Sequence, residues 1–153
     1  MNGRQVVAAV AVLFVVLATA GCREGAKDQA VIDRLAKVDI VSVPAGATKI
    51  SSTPRKGGGS DIVAIRGAST ILVVYASPLP PARVAEFYHQ TYDKGWTLKD
   101  NRAAPVGAWY LGGANRSDSQ MIASVEVRPA SVTAKVPAGT QSVVSVTVSA
   151  TRQ

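Results

Sequence analysis

An alternation of period two constrains this chain more than any other feature. Val144, Val146, Val148 and Ala150 alternate with Ser145, Thr147, Ser149 and Thr151, and Met121, Ala123, Val125 and Val127 repeat the pattern. Successive side chains of a strand point to opposite faces, so each segment buries one face and wets the other. That predicts an antiparallel sheet covered on one side. In residues 70–76, Ile71, Val73 and Tyr75 point one way and Leu72, Val74 and Ala76 the other, which predicts a strand inside the sheet. Residues 40–43, 61–66, 96–99 and 108–111 read as further strands, with 61–66 and 70–76 forming a hairpin around Gly67-Ala68-Ser69. The stretch 55–60 reads as a glycine-rich loop, and a strand rather than a helix follows it, so it lacks the setting of a phosphate cradle.

One helix is expected at about 81–94. Ser77-Pro78-Leu79-Pro80-Pro81 stops the preceding strand, and proline is tolerated in a first helical turn, where no N–H partner is needed. Val84, Phe87, Tyr88, Thr91 and Tyr92 then recur at helical spacing, with Arg83, Glu86, Gln90 and Lys94 on the outer face. Gly95 stands where a C-terminal cap is expected. The fold class is therefore α+β, an antiparallel sheet of five to six strands with one main helix on one face.

The N-terminal part follows another logic. After Arg4, residues 6–18 are all apolar, and Thr19, Ala20 and Gly21 lead to Cys22. This is the three-part layout of a secretory signal, and the run is shorter than the roughly 20 residues that span a bilayer. The phrase Thr19-Ala20-Gly21-Cys22 resembles the lipobox of bacterial lipoproteins, with Thr19 where leucine is commonest. The resemblance implies cleavage between Gly21 and Cys22, a diacylglyceryl group on the Cys22 sulfur, and acylation of its new amino group. It implies membrane attachment on the extracytoplasmic face. The expected organisation is a signal peptide over 1–21, a lipidated tether or short helix over 22–38, and a single domain over 39–153. In the tether Val31, Leu35 and Val38 are spaced for a short helix that Asp28 could cap, and a spacer holding the domain off the membrane is the favoured reading. Val84-Ala85-Glu86-Phe87-Tyr88 followed by Gly95-Trp96 is similar to a helix-then-strand phrase of small exported bacterial domains of uncharacterised function.

The 153 residues include one cysteine and one histidine, which excludes a disulfide framework and the usual Cys/His zinc sites, and no cofactor is implied. The net charge of +7, falling by one with the loss of Arg4, would favour nucleic acid in a cytosolic protein. The export signal redirects that expectation to anionic lipid headgroups and wall polymers, an envelope protein complex is a further expected partner, and no nucleic acid is expected. His89 has Glu86 and Asp93 nearby in sequence, but no serine lies in a nucleophile-elbow phrase, so the expectation is a binding module rather than an enzyme. Aromatic residues concentrate between Phe87 and Tyr110. Tyr92, Trp109 and Tyr110, with Arg102 and Arg116, form the candidate ligand or partner surface, because exposed tryptophan and tyrosine stack on sugar rings or anchor partners. Two alternatives stay open: a small envelope hydrolase or transferase using His89, and a carrier of an apolar envelope ligand between helix and sheet.

Overall fold

The computed structural model of the protein describes residues 26–57, 67–104, 107–132 and 135–151. The expected signal, the lipobox with Cys22, and the expected strand over 61–66 lie outside the described residues. In chain order the elements are helix α1 (26–35), a 3-10 turn Asp39–Val41, strands β1 (Thr48–Arg55) and β2 (Ala68–Ser77), helix α2 (Pro81–Gly95), then β3 (Trp96–Ala104), β4 (Ala108–Asn115), β5 (Met121–Pro129), a second 3-10 turn Ala130–Val132, and β6 (Ser142–Thr151). Among the described residues no helix is long and apolar enough to cross a membrane.

The six strands form one antiparallel sheet in the order β1-β2-β6-β5-β4-β3. This is the expected α+β layer pair, with α2 on one face. The alternation explains why: Val144, Val146, Val148 and Ala150 are fully buried, and Val146 pairs with Val73 on one side and Val125 on the other. Branched aliphatic rows of this kind give the sheet a continuous apolar floor under the helix. β2 is flanked on both sides, as its two apolar faces require.

Helix α2 starts as read, with Pro80 extended at the cap and Pro81 in the first turn. It buries Val84, Ala85, Tyr88 and Tyr92. Phe87 is half-buried and meets Tyr88 edge to face at 5.1 Å. Gly95 differs from expectation. It does not take the left-handed conformation of a glycine cap; the chain passes straight from Gly95 into β3, and the Gly95 carbonyl accepts the Arg116 N–H at 3.0 Å. The sheet itself satisfies the helix end, so no left-handed turn is needed.

The hydroxyls of the buried tyrosines are all satisfied by backbone carbonyls. Tyr75 donates to Val41 at 2.8 Å, Tyr88 to Ser42 at 3.0 Å, and Tyr92 to Ala123 at 2.9 Å. The first two clamp the segment after α1 onto the core, which accounts for a correction: residues 40–43, expected as a strand, begin with a 3-10 turn that buries Ile40. Burial raises the pKa of Tyr88 and Tyr92 well above the ordinary tyrosine value. In the unfolded chain these phenols lose protons from about pH 10, while the folded chain keeps them, so stability falls as pH rises past that point. Each group contributes a slope of about 1.4 kcal/mol per pH unit. Unfolding of the wild type between pH 9 and 11.5 should show that loss, and Tyr88→Phe should show a shallower one; parallel curves would contradict the assignment.

Two other segments differ from the sequence reading. The short helix expected on Val31, Leu35 and Val38 forms over 26–35, but its Ile32 and Leu35 are buried in the core, and Val31 and Val38 pack against it. This stretch belongs to the folded body and does not act as a spacer. Asp28, expected as a cap, is instead buried and accepts the Ser69 hydroxyl at 3.2 Å, and Arg34 reaches Asp118 in the β4–β5 turn at 3.3 Å. Helix α1 therefore runs across the end of the sheet from β2 toward β4 and β5. The second difference is the partner of β2, which is β1 over Thr48–Arg55, a strand the sequence did not suggest. Both sheet edges carry a bulge, between Lys49 and Ser51 in β1 and between Leu98 and Asp100 in β3, which blunts them against pairing with other chains.

Candidate functional site

An open groove of about 410 Å³ lies between the first half of α2 and the β3–β4 hairpin. One wall is a helical stripe in which Ala82 and Ala85 are followed by Glu86, His89 and Gln90. The floor is Trp109 of β4 and Asn101 of β3. Alanines opposite an indole leave a trough that a larger aliphatic residue would fill, and Trp109 stays half-buried whereas Leu111, two residues on and on the same face, is 1% exposed.

The bulge in β3 decides which side chains reach this groove. Leu98 pairs with Gly113 and packs on the core, the extra residue Lys99 shifts the register, and Asp100 then pairs with Gly112. Asn101 and Ala103 consequently share the helix-covered face with Leu111 and Trp109, while Arg102 joins Tyr110 on the other face. The guanidinium of Arg102 lies 5.1 Å from the Tyr110 ring centre and 3.6 Å from Asp100.

The expected surface residues are therefore not brought together. Tyr92 is fully buried with its hydroxyl engaged, and is a core residue. Trp109 lines the groove, Tyr110 and Arg102 occupy the uncovered sheet face, and Arg116 lies exposed at the far end of β4. His89, by contrast, sits in the groove beside Trp109. Glu86, Gln90 and Asn101 complete the polar lining; the sequence reading associated Glu86 with His89 and placed neither Gln90 nor Asn101 in a site. The sequence placed Glu86 and Gln90 on the outer face of the helix, but their pairing with Asn101 depends on the bulge.

The chemistry of the groove is that of hydrogen bonding around an aromatic face. The Glu86 carboxylate is engaged by Arg83 at 3.1 Å, and His89 Nδ1 lies 3.5 Å from Asp93, both at the surface. Among the described residues no serine or threonine hydroxyl is bonded to His89, and no three His, Cys, Asp or Glu side chains are grouped to hold a metal ion. Between α2 and the sheet the space is filled by Val84, Tyr88, Tyr92 and Trp96, each at most 2% exposed. No protein-family model, curated protein or solved structure matches the chain.

Proposed function

We propose that the protein is a lipid-anchored envelope lipoprotein and that its α+β body is a binding module taking a saccharide of a wall polymer in the Trp109 groove. The anchoring half is supported by the apolar run over 6–18 and by Thr19-Ala20-Gly21-Cys22. Two or three acyl chains, at about 0.8 kcal/mol per buried methylene, hold such a body where one chain gives only marginal attachment.

The observation that carries the binding half is Trp109, half-buried in an open groove among an amide-rich polar lining. An indole face complements the C–H face of a sugar ring, and Gln90, Asn101 and Glu86 offer donors and acceptors matched to hydroxyl groups. The groove's volume suits a small-molecule site, and its lining holds no lysine or arginine, which favours a neutral saccharide over a polyanion. A hydrolase or transferase using His89 has the Asp93 contact in its favour and, among the described residues, no hydroxyl bonded to the imidazole. A carrier of an apolar ligand would need space that Tyr88, Tyr92 and Trp96 occupy.

Titration with neutral oligosaccharides, such as trimers of N-acetylglucosamine and of glucose, followed by NMR of the two indole N–H signals, tests the reading. The Trp109 signal should move and that of Trp96, which is 2% exposed, should not. Trp109→Ala should weaken binding about tenfold or more. An unmoved Trp109 signal throughout the series would remove the saccharide.

A further inference from the structure

If Cys22 carries the lipid, the body has little room to stand away from the bilayer, because α1 begins at residue 26 and is part of the core. Four residue steps separate Cys22 from Ala26, and they span at most about 14 Å in any conformation. The start of α1 therefore fixes which end of the molecule meets the membrane. That end is defined by contacts: Asp28 accepts the hydroxyl of Ser69 at the start of β2, and Ser69 Oγ in turn accepts the N–H of Gly57, just past the end of β1, at 3.2 Å.

Across the same end lie the β4–β5 turn, bound to α1 through Arg34 and Asp118, and the end of α2, whose Gly95 carbonyl accepts the Arg116 N–H. Lys27, Arg55, Lys56, Lys94 and Arg116 stand exposed here, and none forms an ion pair among the described residues. From β1 to β4 they extend over four strand spacings, roughly 19 Å. Of the acids at this end, Asp28 is buried, Asp118 is held by Arg34, Asp93 lies beside His89, and Asp33 of α1 is exposed and accepts the Gln29 amide at 3.0 Å. At the opposite end Arg83 and Arg128 are each held by a carboxylate, and Lys49 and Lys135 are exposed cations with no ion pair among the described residues.

We propose that this basic end rests on anionic lipid headgroups, through Lys27, Arg55, Lys56, Lys94 and Arg116. The inference rests on the anchoring of Cys22 for its geometry, and charge complementarity supplies the occupant. It also sets the direction of the groove. Trp109 pairs with Val127, and the row continues through Val144 to Tyr75, six residues along β2 from Ser69. That is roughly 20 Å along the strands, so the Trp109 groove is held away from the bilayer.

The test uses the mature-length chain with Cys22→Ser, which keeps the whole body and lacks the lipid. Its binding to vesicles of phosphatidylcholine alone is compared with binding to vesicles that also contain phosphatidylglycerol. The chain should prefer the anionic vesicles by at least tenfold at low salt, and the preference should vanish as salt shortens the screening length. Lys27→Gln, Arg55→Gln and Lys56→Gln should each reduce it by about fivefold, while Lys135→Gln, at the other end, should not. Equal binding to both vesicles, or an equal loss with Lys135→Gln, overturns the proposal. Absence of preference in a protein that is acylated in cells would leave the anchor standing and remove the docking. A preference in a protein that carries no acyl group would remove the anchor and keep the basic end as a lipid surface.

Discussion

Gly113→Ala is expected to destabilise the protein by about 3 kcal/mol, while Gly112→Ala, its neighbour on the same strand, should change stability by under about 0.5 kcal/mol. The two glycines point to opposite faces of β4. A Cβ on Gly113 would lie 2.5 Å from the Thr97 carbonyl oxygen and 2.9 Å from the Tyr92 ring, and the first of these is backbone that cannot step aside. A Cβ on Gly112 would meet Tyr110 at 3.5 Å and Asp100 at 3.6 Å, which is ordinary contact on the uncovered face. The close approach at Gly113 is what seats Tyr92 over the sheet, so its hydroxyl can reach the Ala123 carbonyl. Urea unfolding should show a lower midpoint for Gly113→Ala with an unchanged slope. Equal costs at the two glycines would mean that the helix does not press on β4 in this way.

Leu35→Ala should cost about 2–5 kcal/mol, a large share of the stability of a domain this size. Leu35 is fully buried among the core residues, and the cost includes the cavity left under α1 as well as the lost apolar transfer. Lys37→Ala, two residues on and exposed, is the matched control and should be near neutral. A spacer would tolerate both changes equally. If Cys22 carries lipid as proposed, an α1 bound into the body leaves only the residues between Cys22 and Ala26 as tether.

The parts of the fold that the chain announces are those with one buried and one wet face. β6 was legible because its valines alternate with serine and threonine, β5 because Met121, Ala123, Val125 and Val127 recur at every second position, and α2 because Val84, Tyr88 and Tyr92 recur beneath a proline-marked start. β1 was not legible. Every one of its residues is exposed, so no alternation marks Thr48–Arg55, and only its hydrogen bonding to β2 makes it a strand. The opposite error arose over residues 40–43, where aliphatic residues suggested a strand. Ile40 is buried there in a 3-10 turn, and Tyr75 and Tyr88 take the carbonyls of Val41 and Ser42. Those tyrosines come from elements distant in sequence, and no local pattern carries that information.

The candidate site divides in the same way. An aromatic cluster is visible as a concentration of residue types, but adjacent strand residues face apart, so Trp109 and Tyr110 could not share a surface. Tyr92, close to both in sequence, satisfies its hydroxyl inside the core. The single extra residue at Lys99 exchanges which of Asn101 and Arg102 faces the groove, and nothing in the local sequence marks that bulge. What the groove gains is a neutral amide in place of a guanidinium, the feature on which the proposed saccharide reading draws.

The claim on which the proposed function depends is that Cys22 becomes the first residue of the mature chain and carries lipid. Intact-mass analysis of the full-length protein, produced in its export-competent form and extracted from membranes, measures it directly. The predicted result is a chain starting at Cys22 and heavier by a diacylglyceryl group and an amide-linked acyl chain. A chain that retains residues 1–21, or a Cys22 thiol open to alkylation, would contradict it.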